Sequence, residues 1–250
     1  MKISGLLKSA SGLFRQLPLA LLAALALGAC AHKPPQAIAP ERRSSAAEAV
    51  YYAAPEPFKN VQFAPPPAPD SAEQQADLAG VLAWQNKRTE ADCAKSARTA
   101  KEDYDAYWGG RSVFPGEVPQ EFKDFFARVS ADFEFALDEM KARFKRPRPF
   151  MAYPGDAVPC IKKSKSFSYP SGHSSAARVT AAVLADLAPE RRGEFYAKAD
   201  EIALDRLIGG VHYPADIAAG KAFGDLFHAE LLKSPAYRGD LEKLKGLLSK

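Results

Sequence analysis

From residue 70 onward, apolar positions recur every three or four residues, the period of a helix that turns one face to a core. Ser71-Ala72-Glu73-Gln74 reads as a helix start, and Leu78, Val81, Leu82 and Trp84 form the stripe behind it. The pattern runs on from Asp92 to Trp108, where Gly109-Gly110 breaks it. Pro119 to Lys145 is the clearest amphipathic stretch, with Phe122, Phe125, Phe126, Val129, Phe133, Ala136, Leu137 and Met140 on one side. That aromatic stripe reads as core packing rather than as a cofactor site. Pro147 and Pro149 stop the helix, because each lacks a donor and clashes with the preceding turn. Residues 150–169, rich in Pro, Lys and Ser, are predicted as a loop, and helices follow over 173–187, 190–208, 214–232 and 236–249. No alternating run of β-branched residues occurs, so the pattern predicts an all-α fold.

The first 60 residues have a different texture. Lys2, Lys8 and Arg15 precede an apolar run from Leu17 to Leu27, too short to span a membrane and suited to a signal peptide over residues 1–29. The run ends in Leu27-Gly28-Ala29-Cys30, which resembles the lipobox of bacterial lipoproteins. The resemblance implies cleavage before Cys30 and lipidation of that residue; a plain secretory signal beside a chance cysteine is the alternative. Several acyl chains would anchor the protein stably to a bacterial membrane, the outer in preference to the inner, on its periplasmic side. Residues 30–60 are expected to be a Pro-rich tether, since nine of the twenty prolines fall between 31 and 70. The folded domain is then expected over 61–250.

Composition narrows this picture only slightly. Of 250 residues, 47% are hydrophobic and 26% charged, enough for one domain with a substantial core. The net charge of +4 is spread among both signs, so no nucleic-acid footprint stands out. With Cys30 lipidated, Cys93 and Cys160 are left as an even pair in an oxidising compartment, open to a disulfide or to two separate buried thiols. Only four histidines occur, and His32 and His228 lie away from other reactive side chains.

The other two histidines lie in clusters. Lys141 precedes Arg148-Pro149 by six intervening residues; Pro170-Ser171-Gly172-His173 opens an apolar helix; Arg206 leads through five residues to His212, and Asp216 follows four positions on. Pro170 to His173 aims backbone N–H groups and a positive helix end at one point, an arrangement that suits a phosphate oxyanion, though an ordinary Pro-Gly turn is the plain alternative. Three clusters in this order resemble the signature of the type 2 phosphatidic acid phosphatase superfamily, and within it the bacterial class A non-specific acid phosphatases. The resemblance extends through Arg148-Pro-Phe-Met-Ala-Tyr153 and Ser168-Tyr-Pro-Ser-Gly-His-Ser-Ser175, and covers about residues 61–240.

That likeness implies a single helical-bundle domain shared with vanadium haloperoxidases, and broad-specificity hydrolysis of phosphate monoesters through a phosphohistidine. It implies His212 as nucleophile, oriented by Asp216, and His173 as general acid and later base. Lys141, Arg148, Arg206, Ser171 and the Gly172 N–H would hold the phosphate, without metal or cofactor, and relatives are compatible with a homodimer. The residue types suit that chemistry, because phosphoryl transfer needs positioning and charge stabilisation around one nucleophile. Three other readings remain: a lipid phosphatase acting on phosphatidic acid or an isoprenoid pyrophosphate, a vanadium haloperoxidase, and a non-enzymatic phosphate-binding lipoprotein. One departure stands out. Asp205 occupies the place where the family usually has Ser before the arginine; on a helix it is expected to face solvent or another basic group, and if it reaches Arg206 it dilutes the charge felt by phosphate.

Overall fold

The computed structural model describes residues 50–100, 108, 112–114 and 116–248. Every regular element among them is helical: α1 (Glu56–Lys59), α2 (Ala72–Lys87), α3 (Glu90–Arg98), α4 (Gln120–Phe144), α5 (Pro149–Ala152), α6 (Gly172–Leu187), α7 (Arg192–Ile208), α8 (Pro214–Leu231) and α9 (Pro235–Leu248). A 3-10 turn, Pro189–Arg191, leads into α7. None of the described helices is long and apolar enough to cross a membrane. The proposed signal peptide, Cys30, and the Gly109-Gly110 break lie outside the described residues.

Local chemistry sets the helix ends. The Ser71 hydroxyl caps α2 by accepting from the Gln74 N–H at 3.1 Å, and Thr89 and Asp92 close a reciprocal capping box on α3. α4 runs the length its apolar stripe predicts and stops at Lys145, whose φ of 49° turns the chain out of the helix. The predicted loop after it contains one helical turn, α5, because Pro149 sits at a first helical position, where its missing N–H costs nothing.

α6 is the buried centre, its small residues packed along α7 and α8. Its crossing with α8 is close because α8 carries glycines there. A Cβ on Gly220 would stand 2.7 Å from the Ser171 carbonyl oxygen, and one on Gly224 would stand 2.6 Å from Arg178 Cβ. The aromatic stripe of α4 packs as expected: Phe122, Phe125 and Phe133 join Phe223, Phe227 and Tyr237 in the main core. Phe133 meets Phe227 edge-on at 5.4 Å.

The expected boundary between tether and domain moves toward the N-terminus. Residues 51–60 were expected in the tether, yet Ala53 and Phe58 are buried, and Phe58 lies 5.6 Å from Phe223. Asp132 of α4, itself buried, anchors this segment by accepting from the N–H groups of Tyr51, Tyr52 and Ala53 at 3.0, 2.6 and 2.9 Å. Proline richness hid the Phe58 anchor and a carboxylate 80 residues away that holds the backbone.

Candidate active site

Four chain segments converge on a cavity of about 820 Å³. The last turn of α4 brings Lys141, the start of α5 brings Arg148, the first turn of α6 brings Gly172 and His173, and α7 with the following turn brings Arg206 and His212. The far wall adds Lys162, Lys163 and Lys165 from the loop before α6, and Phe126, Glu134 and Asp138 from α4.

Each cation is braced by backbone oxygen. Lys141 Nζ donates to Phe167 O at 2.6 Å. Arg148 donates through Nε to Ser166 O at 2.8 Å and through Nη1 to Val211 O at 3.1 Å. Arg206 Nη2 donates to Ser96 O at 2.5 Å and to the Thr99 hydroxyl at 2.7 Å. Burial draws the Arg148 guanidinium down to about 10, which leaves it a cation in any working range.

His212 is almost fully buried, and its two nitrogens have different partners. Arg148 Nη1 lies 3.0 Å from Nε2. A guanidinium can only donate, so Nε2 carries the lone pair and Nδ1 the hydrogen. Nδ1 faces Asp216 Oδ2 at 3.3 Å and the Ser168 hydroxyl at 3.4 Å. Burial, then Arg148, hold the imidazole well below its ordinary pKa, against the opposing pull of Asp216. Burial alone would raise Asp216, but His212, Arg146 and the Ser168 hydroxyl bring it down to about 2, so it is an anion.

His173 lies in the first turn of α6, with Nε2 3.2 Å from Ala100 O. A carbonyl only accepts, so this nitrogen carries a hydrogen. Burial first and Arg206 next push His173 down to about 4. A bound phosphate dianion would offset the part of that effect that comes from Arg206, Arg148 and Lys141, since it neutralises those cations.

Two expectations change. Ser171 was expected to hold phosphate, but its side chain is wholly buried and caps α6, accepting from the Ser174 hydroxyl at 2.9 Å. It does not line the cavity, whereas Gly172 does. Asp205 was expected to face solvent or another basic group; it does not face solvent, and Lys95 Nζ stands 3.9 Å from its Oδ1. It is buried, accepts from the Thr99 hydroxyl at 2.8 Å, and Thr99 in turn accepts from Arg206. Cys93 and Cys160 are bonded to each other, joining α3 to the loop before α6. His228 lies 2.7 Å from Asp186 and does not line the cavity. Among the described residues, no group of three or more His, Cys, Asp or Glu is placed to hold a metal ion.

Sequence reasoning missed the partners that fix these groups. Arg146, Asp77, Ser168 and Thr99 are buried around the site. Arg146 stands in Lys145-Arg146-Pro147-Arg148, where nothing distinguishes the arginine that faces the cavity from the one behind it.

Residues 129–240 match the model of the PAP2 superfamily. A non-specific acid phosphatase of Salmonella typhimurium is 26% identical over 205 residues, which are 76% of this chain and 81% of that protein. A lipid A 1-phosphatase of Rhizobium etli is 43% identical, but over 60 residues only, 24% of this chain and 26% of that one. Among solved structures, a bacterial vanadium-dependent iodoperoxidase superposes with a TM-score of 0.52 at 21% identity, covering 70% of this chain and 53% of that one.

Proposed function

Residues 129–240 form a PAP2 superfamily domain, and from that premise we propose that the protein is an acid phosphatase that hydrolyses phosphate monoesters through a phosphohistidine. The observation that carries the reading is the state of His212. Its Nε2 lone pair is directed at a cationic cavity, while Nδ1–H is held by an ionised carboxylate. A phosphate drawn between Arg148, Lys141 and Arg206 takes over the Arg148 N–H that now meets Nε2. The lone pair then attacks phosphorus as the ester P–O bond breaks, and Asp216 stabilises the cationic ring that forms. His173, protonated in the presence of the dianion, gives its proton to the leaving alkoxide. As a base it next removes a proton from water, whose oxygen attacks the phosphohistidine and frees Nε2 and inorganic phosphate. Charge neutralisation is assigned to Lys141, Arg148 and Arg206, and the Gly172 N–H at the start of α6 completes the cradle.

The extent of likeness favours monoesters over lipid phosphates: the acid phosphatase relative aligns over most of both chains, the lipid A phosphatase over a quarter of each. The further proposals are a signal peptide over residues 1–29, lipidation at Cys30, a periplasmic location and assembly as a homodimer. The iodoperoxidase likeness concerns the fold alone.

The test is His212→Ala on p-nitrophenyl phosphate. Turnover should vanish with the helical circular dichroism unchanged, and an acid-labile phosphoenzyme trapped in the parent should be missing from the variant. Vanadate should inhibit and EDTA should not. Retained turnover in His212→Ala would overturn the nucleophile assignment, and strong EDTA sensitivity would favour a metal enzyme.

A further inference from the structure

We propose that a buried Asp77–Arg146 pair positions Asp216, and through it the His212 ring, for attack on phosphorus; the inference rests on the nucleophile assignment above. Arg146 is 5% exposed and reaches three acceptors with one guanidinium. Nη1 donates to Asp216 Oδ1 at 2.7 Å, and Nη2 donates to Asp77 Oδ2 and to Gln74 Oε1, both at 2.6 Å. Its plane lies 4.0 Å over the Tyr213 ring, which blocks rotation from that side. The other oxygen of Asp216 takes the Tyr213 N–H at 2.9 Å and the Ser168 hydroxyl at 2.5 Å as well as facing His212. With both oxygens engaged, the carboxylate has one orientation, and that orientation selects the Nδ1–H tautomer.

Asp77 acts on the same short segment a second time. Its Oδ1 accepts from the Ala215 N–H at 2.9 Å, between His212 and Asp216 in the chain. Close packing of α2 on the start of α8 is seen independently at Gly80, where a Cβ would stand 2.7 Å from Pro214 Cγ. Asp77 and Gln74 lie on α2, outside the residues that match the PAP2 model. The nucleophile of the matched domain is therefore steadied by a helix that precedes it.

Stability alone is a poor reason for such a network, because buried ion pairs roughly break even against apolar packing. Its chemical consequence is more specific. Asp77 shares the Arg146 cation with Asp216 and so leaves Asp216 more of its negative charge to support His212. The other charged groups toward His212 are Arg148 and Lys141, and Arg206 lies across the cavity.

The experiment compares Asp77→Asn and Arg146→Lys with the parent in the full chain. It measures kcat and KM on p-nitrophenyl phosphate, the pH profile of kcat/KM, melting temperature, and the His212 Nδ1–H resonance in imidazole-labelled protein. Asp77→Asn keeps the size and an acceptor for the Ala215 N–H but removes the charge. It should lower kcat about 3- to 10-fold with KM within about twofold, as expected for loss of orientation rather than of binding. The acidic limb of its profile should move to lower pH, because losing a neighbouring anion lowers the His212 pKa. Arg146→Lys cannot serve Asp216 and Asp77 in one plane, and should cost roughly 10- to 100-fold in kcat and broaden the Nδ1–H resonance. If Arg146→Lys does not fold, Asp77→Asn decides alone. A lower melting temperature with kcat, pH profile and Nδ1–H resonance unchanged would mean a structural role and overturn the proposal. Retained turnover in His212→Ala would instead sink the nucleophile reading beneath it, which keeps the two failures apart.

Discussion

Asp205 shows how a single buried side chain sets the field of a site it does not touch. Its carboxylate takes the Thr99 hydroxyl hydrogen at 2.8 Å, and the same oxygen of Thr99 receives Arg206 Nη2 at 2.7 Å. The anion is thus one hydroxyl away from a phosphate-binding cation, and it draws on the charge Arg206 offers to substrate. Asp205→Ser should strengthen phosphate binding by roughly 1 kcal/mol, a fall in KM of about fivefold, measured as KM and as the inhibition constant of inorganic phosphate. Burial raises the Asp205 carboxyl above its ordinary value, opposed by Thr99 and Lys95. A folded-state value above the unfolded one gives a contribution that is present at low pH and lost as pH rises through the folded value. At neutral pH the parent therefore carries a penalty that serine lacks. The gain in melting temperature on Asp205→Ser should be larger at about pH 7 than at about pH 3.5, and an equal gain at both would refute this account. At this scale, Lys141, Arg148, His173, Arg206, His212 and Asp216 could be singled out in the sequence because two of only four histidines stand at fixed spacings from basic and acidic side chains. The inward turn of Ser171 and the roles of Arg146 and Asp77 could not be read, since they depend on which side of a turn faces the cavity.

Whole elements were legible where one face is apolar and the other polar. The Phe122 to Met140 stripe gives α4 its length, and the buried small residues of α6 mark it as central. Elements built by contact rather than by period were not legible: α5 is one turn long, and the segment through Phe58 is ordered by Asp132 and by aromatic partners on α8. The Cys93–Cys160 bond belongs at this scale because it joins two braces of the site. Cys93 is on α3, next to the Ser96 carbonyl and Thr99 that hold Arg206. Cys160, whose N–H donates to Gly209 O at 3.1 Å, begins the loop whose Ser166 and Phe167 hold Arg148 and Lys141. Cys93→Ser with Cys160→Ser should cost about 2–4 kcal/mol of stability, read as the midpoint of urea unfolding. It should also raise KM more than it lowers kcat, since the cations loosen while the His212–Asp216 pair keeps its own partners. An unchanged KM in the folded variant would show that the bond only stabilises.

On the scale of the whole molecule, the proposal of a lipid anchor concerns what stands before the helical domain. The proposed lipid at Cys30 is followed by a Pro-rich segment, and described structure begins at Val50, one residue before the chain is fastened to Asp132. About twenty residues separate Cys30 from Val50, a length that would reach roughly 60 Å if fully extended. The cavity is lined by Lys162 and Lys163 on the loop before α6 and by Phe126 and Phe133 on α4. Cys30→Ser should abolish labelling by a clickable fatty acid and move the protein from the membrane to the soluble periplasmic fraction. Its kcat/KM on p-nitrophenyl phosphate, measured in detergent-free extract, should match the parent. Hydrolysis of phosphatidic acid or an isoprenoid pyrophosphate in vesicles should be low in both forms if monoesters are the substrate class. A large drop confined to the lipid substrates would show that the anchor delivers the domain to lipid phosphates, and would exchange the monoester reading for that one. Unchanged membrane fractionation would remove the anchor from the proposal without touching the chemistry of His212.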